Sequence, residues 1–329
     1  MIGDGELCVF DASHADDPSL ASRVWRSYSV VDVSPAYGWG AISTRIGVSD
    51  DYGMTFSDRG LVNPAEDLDG GFGQNHEVST LVRDPTAPEA ERWKLIWFHV
   101  FNNQAAPGDS WKRYDLSLAW LGMRAAPSPE GPWGPEVKLL AGSLANPSVG
   151  GQPRFWTDAL VPTEPGAMPD QAGFWLAYQA MTGAAESQVR LLHLSANAQV
   201  KLECGSFFTA NDLAMLRLFN RSTMGSLAYM AAPFLFNRAG TTYLGVTPAD
   251  AAHNYLGIAV FQVQGMNPAR LVKTMGIVPK VVKFLPPITA FAGAGAYSGK
   301  STGSGIVMGR FSLSQSPMFQ LANTGIQVP

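Results

Sequence analysis

The chain has 329 residues, a formal net charge of −4 and only 15% charged side chains. It carries no basic stripe, which sets nucleic acid aside as a partner, and no apolar run of the roughly 18 residues that a membrane helix needs. Its 34 glycines and 23 prolines fall evenly between short apolar runs, the pattern of many turns joining many strands.

In chain order, strand-like runs come in clusters. Cys8–Ala12 is apolar enough to be a strand, and is expected to complete the last cluster and close a ring. The first cluster holds Arg23–Val33, Ile42–Val48 and, after a tight turn, Phe56–Val62. The second holds Glu77–Arg83, Trp93–Phe101, Leu116–Arg124 and Val137–Leu140. The third holds Phe155–Pro162, Phe174–Met181, Val189–Ser195 and Val200–Cys204. Thr209 or Asn211 can then cap a helix over Asp212–Asn220. The fourth cluster holds Ala228–Asn237, Thr241–Thr247, Leu256–Gln262 and Leu271–Met275, and the fifth Thr289–Ala296, Ser304–Arg310 and Phe319–Leu321.

Each cluster spans roughly 50–70 residues, the size of a four-stranded antiparallel blade with long loops. The expectation is an all-β, five-bladed β-propeller, with six blades as the alternative count, forming one domain over residues 1–329. Cys8 and Cys204 support no disulfide framework and no thiolate metal site; one bridge between them, or two buried thiols, are both open.

The sharpest local signal is Ser49-Asp50-Asp51-Tyr52-Gly53-Met54-Thr55-Phe56. Short polar side chains at Ser49, Asp51 and Thr55 can hold a tight turn through its backbone. Gly53 permits positive φ, and Phe56 can pack beneath. This segment resembles the Asp-box of sialidases and related propellers, where its role is structural. Ala126-Pro127-Ser128-Pro129-Glu130-Gly131-Pro132-Trp133 resembles a hairpin of the five-bladed arabinanase-like and invertase-like glycosidases. Gln74-Asn75-His76-Glu77 with the strand that follows resembles an inner blade strand of sialidase-like proteins. Ala294–Ser301 matches a relaxed phosphate loop but is followed by strand-like sequence, so it reads as chance.

These resemblances imply a pocket on the propeller axis and a carbohydrate ligand. Glycoside hydrolysis uses two carboxyl groups, one protonated acid and one base or nucleophile. Glu77, at the start of an apolar strand, and Asp158, at the comparable place in the third cluster, form the expected pair. The alternative for each is a structural carboxylate bonded to backbone or arginine. Asn75, His76, Arg154, Trp156 and Tyr297 are the expected substrate contacts. The resemblance also implies a third acid on the first blade, for which Asp11 is the nearest residue. A sialidase would need an arginine cluster, for which Arg26, Arg45 and Arg154 are available, and a tyrosine nucleophile, for which Tyr297 is placed.

Trp39, Trp97 and Trp156 could stack a sugar; most are expected in blade cores. His76 and His99 are too few for a metal site. No cofactor is expected, and a calcium ion in the central channel stays open. The competing readings are a glycan-binding propeller without catalysis, a polysaccharide lyase using His76 or Tyr297 as base, and a protein scaffold. A monomer is expected. No apolar h-region follows Met1; the chain is therefore cytoplasmic or lacks a removed leader, and the resemblance favours an extracellular or periplasmic place.

Overall fold

The computed structural model describes residues 8–32, 41–68, 72–103, 114–183, 186–287, 291–296, 307–311 and 319–323. The first sheet runs β1 (Cys8–Asp16), β2 (Val24–Asp32), β3 (Ala41–Ser49) and β4 (Ser57–Asn63) in chain order. The second holds β5 (Glu66–Leu68), β6 (Phe72–Arg83), β7 (Trp93–Asn103), β8 (Tyr114–Ala126), β9 (Val137–Ala141) and β10 (Phe155–Trp156). The third holds β11 (Val161–Asp170), β12 (Gly173–Gly183), β13 (Glu186–Ser195) and β14 (Val200–Ser206).

Two helices follow, α1 (Ala210–Phe219) and α2 (Arg221–Met224). Thr209, rather than Asn211, caps α1: its hydroxyl accepts from the Asp212 N–H, and the Asp212 carboxylate accepts from the Thr209 N–H. The fourth sheet holds β15 (Leu227–Arg238), β16 (Thr241–Asp250), β17 (Ile258–Met266) and β18 (Ala269–Leu271). A small hairpin, β19 (Lys273–Thr274) with β20 (Val278–Pro279), leads to β21 (Val281–Leu285), which also pairs with β17. A last sheet holds β22 (Phe291–Ala296), β23 (Val307–Phe311) and β24 (Phe319–Asn323).

This is an all-β propeller with four blades of four or more strands. Five four-stranded blades were expected; the last sheet has three described strands. Among the described residues no ladder closes the ring through the N-terminal strand. β1 pairs with β2 as the inner strand of the first blade, and it packs against β22–β24 without a described ladder to them. The inner strands β1, β6, β11 and β15 each pack against the next.

Blades are held together by the faces of their sheets. Ile96, Phe98 and Val100 of the second blade interdigitate with Phe174, Leu176 and Tyr178 of the third. Ala177 and Leu191 of the third pack with Leu244 and Phe261 of the fourth. Trp25, Ile46 and Val48 of the first meet Leu81, Leu95 and Trp97 of the second. Burial of such apolar surface is the main stabilising term. Cys204 is a free, buried thiol in this packing, so the bridge to Cys8 does not form.

Each inner strand is interrupted at an equivalent place. The ladders slip between Phe10 and Ser13, Glu77 and Ser79, Thr163 and Gly166, and Ala231 and Phe234. Inside these gaps Asp11, Val78, Glu164 and Ala232 take φ of 48°, 47°, 48° and 44°. All four are β-bulges with a non-glycine residue in left-handed conformation, a costly arrangement that bends the strand and re-aims a side chain. The bulge is thus a four-fold feature of the inner wall.

Candidate functional site

The bulges surround an axial opening lined by Asp11, Ser13, Val78, Ser79, Pro165 and Ala232 among others. Hydrogen bonds from one blade to the next fix their positions. The Val78 N–H donates to Ser29 Oγ at 3.0 Å, and the Ala167 N–H to Thr80 Oγ1 at 2.9 Å. The Ala232 N–H donates to Glu164 Oε2 at 2.6 Å.

Two of the four bulge residues are acids: Asp11 on β1 and Glu164 on β11. Between their strands lies β6, with Glu77 one residue before its own bulge and 4% exposed. Burial raises the Asp11 carboxyl well above the carboxylate range, and the charges of Glu77 and Glu164 raise it further. Burial also lifts Glu164 to about 7, against the opposing pull of the Ala232 N–H. Both side chains nevertheless keep some accessible surface. Carboxyl groups raised by burial that keep some accessible surface are suited to proton transfer. Among the described residues no three His, Cys, Asp or Glu side chains lie close enough together to hold a metal ion. Of the three acids, Asp11 lines the opening.

Asp158 is elsewhere. It sits in the turn before β11 with its side chain 73% exposed, paired with Arg190 of β13. The strand expected over Phe155–Pro162 is divided: Phe155–Trp156 forms β10 at the outer edge of the second blade, and the third blade starts at Val161. The inner-strand acid of the third blade is therefore Glu164, six residues further on.

The other expected contacts are mostly structural in placement. Asn75 is buried and its Oδ1 accepts from the Ile42 N–H at 3.0 Å. His76 Nδ1 accepts from Trp97 Nε1 at 2.9 Å, and its ring packs edge-on against His99 at 4.8 Å. Burial, with help from His99 and Arg124, pushes His76 down to about 2, so it is neutral. Arg154 is half-buried and donates to the Ala198 carbonyl at 3.0 Å. Trp156 is 43% exposed on the outer edge, while Trp97 is core. Tyr297 and Trp39 lie outside the described residues.

The three arginines do not cluster. Arg26 is buried against His14, at 2.8 Å from its Nε2. Arg45 pairs with Asp58. Arg154 bridges the second and third blades through the Ala198 carbonyl. The Ser49–Phe56 segment forms the β3–β4 turn. Asp51 Oδ1 accepts from the N–H groups of Met54 and Thr55 at 3.0 and 2.9 Å, and Thr55 Oγ1 donates to Oδ2 at 2.6 Å.

Tyr255 had no signal in the sequence. It is held by a bridge to Ala249 on the turn after β16 and is 41% exposed. Its phenol is raised well above its ordinary value, first by burial and then by Glu164 and Asp11, with Tyr229 and Glu77 adding less.

No family model matches the chain, and no curated protein matches it. Solved structures do. The GH43_1 enzyme from Xanthomonas citri complexed with xylotriose has a TM-score of 0.56 at 13% identity, covering 96% of this chain and 86% of that one. A thermostable family-43 glycoside hydrolase has a TM-score of 0.54 at 11% identity, covering 99% and 97%. A family 117 glycoside hydrolase from the marine bacterium Zobellia galactanivorans has a TM-score of 0.53 at 11% identity, covering 98% and 85%. At such identities the likeness is one of fold, and the fold is that of propeller glycoside hydrolases.

Proposed function

We propose that the chain is a glycoside hydrolase working at the axial opening, with Glu164 as general acid and Asp11 as general base. The observation that carries this reading is the pair of acids at equivalent left-handed bulges of the first and third blades. Glu164, held at about 7, retains its proton near neutral pH and can give it to the leaving glycosidic oxygen. Asp11 is raised well above the carboxylate range first by burial and then by Glu77 and Glu164; a proton on Glu164 removes the last and smallest of these, so Asp11 ionises more readily than it would beside a charged Glu164. Glu77, buried on the strand between them, raises Asp11 electrostatically and does not itself reach the opening's surface.

The strands of Asp11 and Glu164 are not adjacent, since β6 intervenes. We infer inversion on that arrangement of strands, in which Asp11 activates water on the face opposite the leaving group. We further infer that β22–β24 is a fifth blade. What supports this is that β22 packs against both β15 and β1.

The test is hydrolysis of xylotriose, linear arabinan and chromogenic glycosides by the wild type, Asp11→Asn and Glu164→Gln. We expect wild-type turnover to fall by at least about a thousandfold in each variant. A wild type that binds these sugars and cleaves none overturns the hydrolase reading in favour of glycan binding alone.

A further inference from the structure

The four bulges of the inner wall are each followed by a residue that lines the axial opening: Ala12, Ser79, Pro165 and Pro233. Ser79 alone of these four carries a polar side chain. The first blade has alanine at the equivalent place, so the strand geometry does not call for a hydroxyl here. Strand alternation puts Ser79 on the same face of β6 as Leu81, which packs against Trp25, Ile46 and Val48 of the first blade. Ser79 is thus turned toward the blade that carries Asp11, and both residues line the opening.

The hydroxyls around it are already engaged. Ser13 Oγ and Thr80 Oγ1 lie 3.0 Å apart across the first and second blades, and Thr80 Oγ1 also accepts from the Ala167 N–H. Ser29 Oγ accepts from the Val78 N–H. Ser79 is 2% exposed, and its Oγ has no hydrogen-bond partner among the described residues. A buried hydroxyl without a partner bears a desolvation penalty that an alanine methyl would not. The serine therefore lowers the stability of the free protein, and the opening it lines is where a compensating partner can sit.

We infer that Ser79 is a substrate contact of the axial site, its hydroxyl bonding a ring hydroxyl of the sugar held beside Asp11. This rests on the axial site being a carbohydrate site, but not on its being hydrolytic. A sugar hydroxyl donates and accepts, as serine does, so the two satisfy each other in either direction. A ligand lacking that hydroxyl leaves the serine unpaired, which makes Ser79 a specificity residue. Ser79 binds and orients; it transfers no proton.

The experiment measures binding, stability and turnover separately. Ser27 on β2 is the control: it is fully buried and its Oγ is also unpartnered, but it is not among the residues lining the opening. Xylotriose and a linear arabino-oligosaccharide are titrated by calorimetry into Glu164→Gln, and into the same protein carrying Ser79→Ala or Ser27→Ala, with thermal melts of each. Kinetics with an otherwise unaltered chain follow the same two serine substitutions. Ser79→Ala is expected to weaken binding of the tighter oligosaccharide by about fivefold, and to melt no lower than its parent because it removes an unpaired buried hydroxyl. In turnover it raises KM more than it lowers kcat. Ser27→Ala is expected to melt no lower either and to keep affinity within about twofold. Unchanged affinity in Ser79→Ala overturns the inference and leaves the hydroxyl to a bound water. A clear fall in the melting temperature of Ser79→Ala also overturns it, since the hydroxyl then has a partner within the protein. So does an equal loss of affinity in Ser27→Ala, or a parent protein that binds neither sugar. A wild type that binds without cleaving removes the hydrolase reading alone, and the serine is then judged by affinity.

Discussion

Glu164 of the third blade accepts a 2.6 Å hydrogen bond from the backbone N–H of Ala232 in the fourth, so a bulge residue of one blade is anchored on the bulge of the next. The contact fixes one carboxylate oxygen. It also opposes burial: the N–H favours the ionised form, burial the protonated one, and burial prevails at about 7.

Two pH effects follow from that balance. As the general acid, Glu164 must be protonated, so kcat/KM should fall as pH rises through about 7. Stability moves in the same direction. The folded carboxyl binds its proton more tightly than the ordinary 4.5, so stability is greatest below 4.5, declines as pH rises through the interval, and levels off above about 7. The shift corresponds to about 3 kcal/mol. Glu164→Gln stays neutral throughout, so its melting temperature should decline less than that of the wild type between pH 5 and pH 8. Parallel declines in the two proteins would show that Glu164 is not held in its protonated form.

Asp158 gives the contrasting case. Its side chain is 73% exposed and its partner Arg190 is also in reach of solvent. An ion pair of this kind contributes about 0–1 kcal/mol. Asp158→Asn should therefore leave kcat and KM unchanged and shift the unfolding free energy by less than about 1 kcal/mol. A large loss of turnover would place Asp158 in the site after all.

These two acids show what the sequence revealed and what it hid. The alternation of short apolar runs and turns makes the propeller legible, along with most strands of the first four blades. It fails at β11, because Val161–Asp170 contains Pro162, Pro165 and Pro169 and reads as turn. Proline is tolerated there since an inner strand has an unpaired edge and a bulge, where missing N–H groups do no harm. The strand was accordingly placed too early, and Asp158 took the place that belongs to Glu164. Asp11 was visible but lacked support, because a bulge leaves no periodicity of its own. Glu77 was expected to open its strand, but β6 already begins at Phe72 and Glu77 lies buried within it.

Gly166, two residues after Glu164, is expected to be intolerant of any side chain. A Cβ there would lie 2.0 Å from the Pro233 carbonyl oxygen and 2.9 Å from the Phe234 Cα. Both are backbone atoms of β15, so the blades would have to separate. Overpacking of this kind costs about 1–3 kcal/mol, and the displaced strand carries Glu164. Gly166→Ala should lower both the melting temperature and kcat. Gly134→Ala, whose Cβ meets only the Ala125 carbonyl at an ordinary 3.4 Å, is the control and should stay within about 0.5 kcal/mol of the wild type.

Asp51 offers a test of stability separated from catalysis. Its carboxylate accepts from Met54 N–H, Thr55 N–H, Thr55 Oγ1 and Ser49 Oγ, closing the β3–β4 turn. Burial opposes ionisation, but these hydrogen bonds outweigh it and bring the group down to about 2. A lowered carboxyl stabilises the fold above its ordinary 3.8 and loses that contribution as pH falls toward 2. Because the turn is exposed, removing the carboxylate should cost about 1 kcal/mol at neutral pH, the lower end for hydrogen bonds to a charged group. Asp51→Ala should therefore melt a few degrees below the wild type at pH 7, with the gap narrowing toward pH 2.5, while kcat at 25 °C stays unchanged. A gap that held constant with pH would assign the loss to the turn's backbone conformation instead of the charge. A drop in kcat at full folding would connect this outer turn to the axial site.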